Sequence, residues 1–207
     1  MVMDFLLLIL LAIAGVIGFR MWSRHSSSTA TRPGADQPHN GGIEHVRTGG
    51  VIRLPPHGPD MAEVDVQITA RHVYQQDGYH WFELEGESGE GTVWLDVERD
   101  DELETSVTLS RIRIDELGLD ENGVKRLKAG AIVNFDGRAF RMTEQGTARF
   151  LPDGDESRAE PLVFWDFEGD DDTHDLTIER WGQDHRAYLS QRIRPSRITV
   201  YRTTDQG

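Results

Sequence analysis

The run Phe5-Leu6-Leu7-Leu8-Ile9-Leu10-Leu11-Ala12-Ile13-Ala14-Gly15-Val16-Ile17-Gly18-Phe19 carries no charge, with Asp4 before it and Arg20 and Arg24 just after it. Leu, Ile, Phe and Val each favour insertion by about 0.3 to 0.6 kcal/mol, so the run favours a bilayer by roughly 3 to 6 kcal/mol. As a helix it reaches only about 22 Å against a hydrocarbon thickness of about 30 Å. Met21 and Trp22 extend its apolar face, and Arg20 can snorkel outward while its stem stays in lipid. The pattern predicts one N-terminal transmembrane helix within residues 1–24. The alternative is a cleaved signal peptide, since Ala12-Ile13-Ala14 has a small-x-small form. Against it, Met1 to Asp4 lacks the basic n-region, and cleavage after Ala14 leaves apolar residues behind. Basic residues follow the run and none precedes it, which places the N-terminus outside and everything after the run in the cytoplasm.

Residues 25–62 are dominated by Ser, Thr, Gly, Pro, His and Asn, a composition that buries too little surface to offset its ordering entropy. They read as a tether with a random-coil reach of about 35 Å, with a short ordered patch at Val51-Ile52-Arg53-Leu54. His25, His39, His45 and His57 lack the short paired spacings of zinc ligands, so no metal site is expected there. The chain has no cysteine, which agrees with a reducing compartment.

Residues 1–63 hold as many basic as acidic side chains, so the whole net charge of −14 falls on residues 64–207. An acidic domain lacks the basic footprint that releases counterions, and no nucleic-acid partner is expected. One local exception is the tail, where Arg186, Arg192, Arg194, Arg197 and Arg202 stand close in sequence; pairing with the domain's own acidic loops is the expectation.

From Val64 onward, apolar residues alternate with polar ones at period two, and Asp77-Gly78 and Asp136-Gly137 signal tight hairpins. Strands are predicted over 64–76, 79–86, 91–98, 104–113, 131–135, 138–144, 147–151, 160–168, 174–181, 185–193 and 197–202. One short helix is predicted after Asp120, with acids first and Lys125 and Lys128 last. Val93-Trp94-Leu95-Asp96-Val97-Glu98-Arg99-Asp100-Asp101 matches Val163-Phe164-Trp165-Asp166-Phe167-Glu168-Gly169-Asp170-Asp171 in its register of apolar and acidic residues. The fold class is therefore all-β and mainly antiparallel: residues 63–207 form two related units, about 63–118 and 130–203, packed as small barrels or a sandwich.

The repeat also supplies the candidate site. Asp96 with Glu98, and Asp166 with Glu168, are carboxylates two apart on a strand, the spacing that puts both on one face for acid–base work or for a hard cation. The competing reading is structural, because a carboxylate beside an aromatic at a strand end accepts backbone or indole N–H bonds. Asp170-Asp171-Asp172-Thr173-His174-Asp175 lacks the Gly and terminal Glu of a calcium loop and reads as a solvated turn. No Ser lies in a nucleophile elbow, and Gly86-Glu87-Ser88-Gly89-Glu90-Gly91 has acids where a phosphate loop needs Lys. Catalytic, cofactor and metal residues are thus none. The candidate surface is Trp81, Trp94, Asp96, Glu98, Trp165, Asp166, Glu168 and Trp181, where tryptophans beside carboxylates offer a cationic ligand such as a polyamine cation–π and carboxylate contacts.

Through Trp81-Phe82-Glu83-Leu84, Trp94-Leu95-Asp96-Val97-Glu98, Phe135-Asp136-Gly137-Arg138, Trp165-Asp166-Phe167-Glu168 and Ile178-Glu179-Arg180-Trp181-Gly182, residues 64–201 resemble the bacterial domain-of-unknown-function family 4178. The resemblance implies a β-rich module with no established reaction, in bacterial envelope systems encoded near phage-shock-type membrane proteins and polyamine-synthase-like enzymes; it supplies no catalytic residues. The resulting expectation is a single-pass inner-membrane protein whose cytoplasmic β domain recruits or regulates protein partners. Its alternatives are a carboxylate-dependent hydrolase or transferase and an exported ligand-binding β domain.

Overall fold

The computed structural model describes residues 42–204. The apolar run at 5–19 and residues 25–41 of the proposed tether lie outside them. Among the described residues no helix is long and apolar enough to cross a membrane.

The described chain is mainly antiparallel strand: β1 (Val51–His57), β2 (Ala62–Gln76), β3 (Tyr79–Ser88), β4 (Gly91–Arg99), β5 (Leu103–Ile112), β6 (Ile132–Phe135), β7 (Arg138–Leu151), β8 (Glu160–Gly169), β9 (His174–Trp181), β10 (Asp184–Arg192) and β11 (Thr199–Arg202). The helix expected after Asp120 is α1 (Glu121–Lys125), where the Asp120 side chain accepts the Gly123 backbone N–H as an N-cap. Both hairpin signals are realised. Asp77 and Gly78 join β2 to β3 with φ of 49° and 86°, and Asp136 and Gly137 join β6 to β7 with 50° and 75°.

One eleven-stranded sheet contains every strand, in the order β11-β1-β2-β3-β4-β5-β10-β9-β8-β7-β6, and β2 also pairs with β7. That extra pairing closes β2-β3-β4-β5-β10-β9-β8-β7 into a ring. The two repeats therefore share one sheet instead of forming separate barrels.

The order also shows which strands are equivalent. β1 to β5 and β6 to β10 pair in the same succession, so β8 takes the place of β3 and β9 the place of β4. This corrects the sequence match of 93–101 with 163–171. The true correspondences are Trp81-Phe82-Glu83-Leu84-Glu85-Gly86 with Phe164-Trp165-Asp166-Phe167-Glu168-Gly169, and Leu95-Asp96-Val97-Glu98-Arg99 with Leu176-Thr177-Ile178-Glu179-Arg180.

Two bulges make closure possible. In β2, Ile68 opposes Gly86 and Ala70 opposes Glu85, leaving Thr69 as the extra residue. In β7, Met142 opposes Phe167 and Glu144 opposes Asp166, leaving Thr143. Each extra threonine donates its hydroxyl to a carbonyl of the facing strand, Thr69 to Glu85 at 3.3 Å and Thr143 to Asp166 at 3.2 Å. An inserted residue turns the following side chains to the other face. Val66 and Ile68 consequently enter one core while His72 and Tyr74 face inside the ring; Phe140 and Met142 enter a second core while Ala148 faces the ring. Past its bulge each long strand stays paired with its hairpin partner, β3 or β8, while its other edge passes to the other repeat, Tyr74 opposite Phe150.

The first core holds Ile52, Leu54, Val66, Ile68, Leu84, Leu95, Val97 and Val107, capped by Ile43, Val46, Ile193 and Ile198. The second holds Phe140, Met142, Trp165, Phe167, Leu176, Ile178, Ala187 and Leu189, covered by Leu117 and Val124. The ordered domain thus begins earlier than residue 63. β1 lies inside the stretch read as a tether, and Ile52 and Leu54 are fully buried because they line the first core. β7 is likewise one strand where two were expected, since Gly146 continues it against Phe164.

Candidate functional site

The face of the ring strands opposite the two cores points inward, and side chains meet across it. Trp81 of β3 packs edge-on against Phe164 of β8 with centroids 6.1 Å apart, and Phe150 of β7 meets Trp181 of β9 at 5.1 Å. Neither strand pair is hydrogen-bonded: β2 and β7 lie between the first pair and β8 between the second, so these contacts reach over intervening strands on the ring face. Tyr74 stacks on Trp81 at 5.1 Å and completes the aromatic zone with Ala148 and Leu162.

Beside the aromatics lies a row of acids at matched register. Around the first repeat His72, Glu83, Asp96 and Ser106 are successive cross-strand partners. Around the second the row is Glu144, Asp166, Thr177 and Tyr188. Glu179 joins from the next row of β9, opposite Phe164. Each acid alternates with core residues along its strand, as in Phe82-Glu83-Leu84 and Leu95-Asp96-Val97, and period two carries it to the ring face.

Burial, and after it the crowding of carboxylates, governs their protonation. Burial, followed by Glu179, Asp166 and Glu98, pushes Asp96 up to about 7. Burial also takes Asp166 to about 7, with the Thr177 hydrogen bond opposing and Glu144, Glu179 and Glu98 adding repulsion. Glu83 is raised well above the usual carboxylate range by burial, then by Asp96 and Glu179. Burial raises Glu179 too, against the Trp181 hydrogen bond and the Arg186 charge. The same surroundings push the Tyr74 hydroxyl above its usual range, burial first and Glu83 next.

Every one of these acids also has a neutral donor from the ring. Tyr74 Oη lies 3.4 Å from Glu83, Thr177 Oγ1 donates to Asp166 at 2.8 Å, Trp181 Nε1 donates to Glu179 at 2.8 Å, and Ser106 hydrogen-bonds Asp96. His72 is engaged on both ring nitrogens. Its Nδ1 accepts the Asp153 backbone N–H at 3.2 Å, which leaves Nε2 to donate to Glu85 at 3.1 Å.

The sequence-derived candidates are only partly brought together. Asp96 and Asp166 repel each other across the interior, and Glu98 acts on both while accepting the Tyr79 hydroxyl at 3.0 Å. Glu168 is exposed and lies 3.7 Å from Arg192. Trp81 and Trp181 line the ring, where the Arg186 guanidinium already sits 5.3 Å over the Trp181 face. Trp94 stacks on His72 at 5.7 Å. Trp165 does not belong to any surface: it is 2% exposed in the second core, because the alternation that points Asp166 inward points its neighbour the other way. Glu83, Glu144 and Glu179 were missed: the single acid between Phe82 and Leu84 was a signal for Glu83, whereas Glu144, between Thr143 and Gln145, carries no such pattern and Glu179 only half of it, after Ile178.

The aspartate turn at 170–175 is a capped turn. Asp171 accepts the backbone N–H groups of Thr173 and His174 at 2.9 Å each, bonds His174 Nδ1 at 2.6 Å and pairs with Arg138 at 3.1 Å. Against the desolvation that raises it, these bonds hold its carboxyl well below the usual range. Among the described residues no group of three or more His, Asp or Glu side chains is placed to hold a metal ion. Two surface clefts, of about 600 and 470 Å³, lie outside the acidic interior; the larger is lined by Arg111, Arg113, Asp120 and His185, the smaller by Gln75, Arg149, Leu162 and Arg180.

Of the tail arginines, Arg192 pairs with Asp175 at 2.6 Å and Arg186 with Asp184 at 2.9 Å, as acidic neighbours predict.

The molecule is thus an all-β domain of two intertwined repeats whose shared ring encloses carboxylates and aromatics. The chain belongs to the DUF4178 family, a domain of unknown function, whose profile matches residues 60–195. No curated protein and no solved structure matches it.

Proposed function

We propose that this protein is a non-enzymatic interaction module, tethered to a membrane by residues 5–19 and presenting its β domain to protein partners at the cytoplasmic face. The observation that carries the reading is the pairing of each interior carboxylate with a structural donor of the ring, Asp166 with Thr177 of the neighbouring strand and Glu179 with Trp181 of its own among them. Acids bonded in this way are fixed in place by the ring's own side chains. The histidine on the same face, His72, spends both nitrogens on Asp153 and Glu85 and is no free base. The tether supports the reading from the other side, since confinement near a membrane raises the effective concentration toward partners there. Deleting residues 1–24 is expected to release a folded, soluble domain that no longer captures membrane-solubilised partners. A truncated chain that still sediments with membranes in high salt refutes the tether, as does external protease digesting the domain in intact spheroplasts.

One observation favours a second reading, a carboxylate-dependent hydrolase or transferase: Asp96 and Asp166 both titrate near neutrality, where general acids and bases work. That chemistry requires small molecules to reach them. A water-soluble carbodiimide near pH 6 should then label Asp96 or Asp166, and peptide mapping that finds neither modified removes the reading.

A further inference from the structure

We propose that Arg71 and Arg47 form a binding site for a phosphate-type oxyanion at the point where one edge of β2 passes from β1 to β7. β2 pairs with β1 as far as Gln67, its Ile68 bonds the Gly49-Gly50 turn, and pairing resumes with β7 only at Val73. Arg71 falls in this gap. Its register partner is Leu84 of the first core, and its guanidinium lies 3.7 Å over the Phe82 ring. It is half-buried, and its Nε is shielded from solvent without a hydrogen-bond partner.

An arginine this enclosed ordinarily has a carboxylate. Among the described residues Arg71 has none, in a chain carrying fourteen more acidic than basic charges. The charge that reaches it is of the wrong sign. Burial, and then the neighbouring Arg47, bring Arg71 down to about 10. The nearest acid of the Arg47 turn, Glu44, is committed to Arg99. Arg47 itself is exposed and donates only to the carbonyls of Glu44 and Val46, at 3.2 and 3.0 Å, both through Nη1. Among the described residues neither guanidinium has a carboxylate partner, and the charge of one reaches the other. A tetrahedral dianion neutralises both and accepts from both planar forks, whereas a single carboxylate neutralises one. Stacking on Phe82 fixes the plane of the Arg71 fork before any ligand arrives.

The test is calorimetry on the full chain in neutral detergent at low ionic strength, titrated with inorganic phosphate and, separately, with glycerophosphoglycerol as a lipid-headgroup diester. Saturable binding is expected, weakened about tenfold by Arg47→Gln and further by Arg71→Gln. Arg71→Lys should fall between, because it keeps the charge and loses the fork. Tighter binding of the diester assigns the anion to a membrane headgroup, and tighter binding of phosphate assigns it to a soluble ligand; either supports the site. No saturation by about 20 mM of either anion overturns the proposal. So does an isotherm that Arg47→Gln leaves unchanged, a substitution at an exposed residue that keeps the test valid even if Arg71→Gln does not fold.

Discussion

Asp166 takes a hydrogen bond from Thr177 while Glu144, Glu179 and Glu98 press on it, and its titration shows what the ring interior costs the fold. An unfolded aspartate loses its proton near pH 3.9, whereas folded Asp166 and Asp96 keep theirs until about 7. Below about pH 4 both states are protonated and the pair contributes nothing; above about 7 the folded state bears the full repulsion. Their contribution to stability therefore declines as pH climbs through that window. Asp155 and Asp171 work in the opposite sense, but their lowered values put the loss below the ordinary aspartate range, outside the window. Thermal midpoints should accordingly be several degrees higher at about pH 5.5 than at about pH 8. Asp166→Asn keeps an acceptor for Thr177 and removes the charge, so it should stabilise the protein by about 1 kcal/mol at about pH 8 and have little effect at about pH 5. A midpoint that falls steadily on acidification from neutrality contradicts this account, and denaturant titrations of the two proteins at both pH values check the size of the effect.

Among the elements, β2 and β7 decide the architecture, because Thr69 and Thr143 turn the rest of each strand over. Thr143→Val removes a hydroxyl bond to the Asp166 carbonyl and should cost about 1 kcal/mol. Deleting Thr143 is a different matter: it shifts the register by one, drives Ala148 and Phe150 off the ring face and should abolish cooperative unfolding and the near-ultraviolet signal of the packed aromatics. A deletion variant with a normal melting transition would exclude this role for the bulge. The same residues explain what was legible beforehand. The hairpin positions were readable because Asp77-Gly78 and Asp136-Gly137 meet a local steric demand, and α1 because Asp120 meets a local capping demand; the strand number agrees only because the missed β1 offsets the division of β7 into two. β1 was hidden by Pro55 and Pro56, which lack the N–H a ladder needs; they fall where pairing lapses between Leu54 and His57, while Ile52 and Leu54 complete the core. The gathering of Glu83, Asp96, Asp166 and Glu179 was unreadable for a non-local reason. Their faces follow from period two, but that those faces meet depends on the bulges and on β2 reaching β7, a contact between residues as far apart as Tyr74 and Phe150.

At the scale of the molecule, the two hydrophobic cores sit in different repeats and are joined through β5, which lends Val107 to the first and Ile112 to the second. β5 runs alongside β10 from Ser106 to Ile112, and β2 meets β7 from Val73 to Gln75, so melting one core pulls ladder partners away from the other. Two independent barrels joined by a linker would unfold in two steps; a ring closed through both repeats should unfold in one. Leu84→Ala in the first core and Phe167→Ala in the second separate the cases, since both side chains are essentially inaccessible. Each should cost about 2 to 5 kcal/mol and lower the melting midpoint by roughly 10 °C. In both variants fluorescence of the tryptophans and circular dichroism of the strands should report one coincident transition. If Leu84→Ala instead splits the curve, leaving a later transition at the wild-type midpoint, then the seams are too weak to couple the repeats. The interior acids explain why the seams matter to the ring: with the carboxylates of both repeats turned inward, only continuous pairing through β5–β10 and β2–β7 keeps that repulsion enclosed, and the aromatic contacts Trp81–Phe164 and Phe150–Trp181 supply the attraction that opposes it.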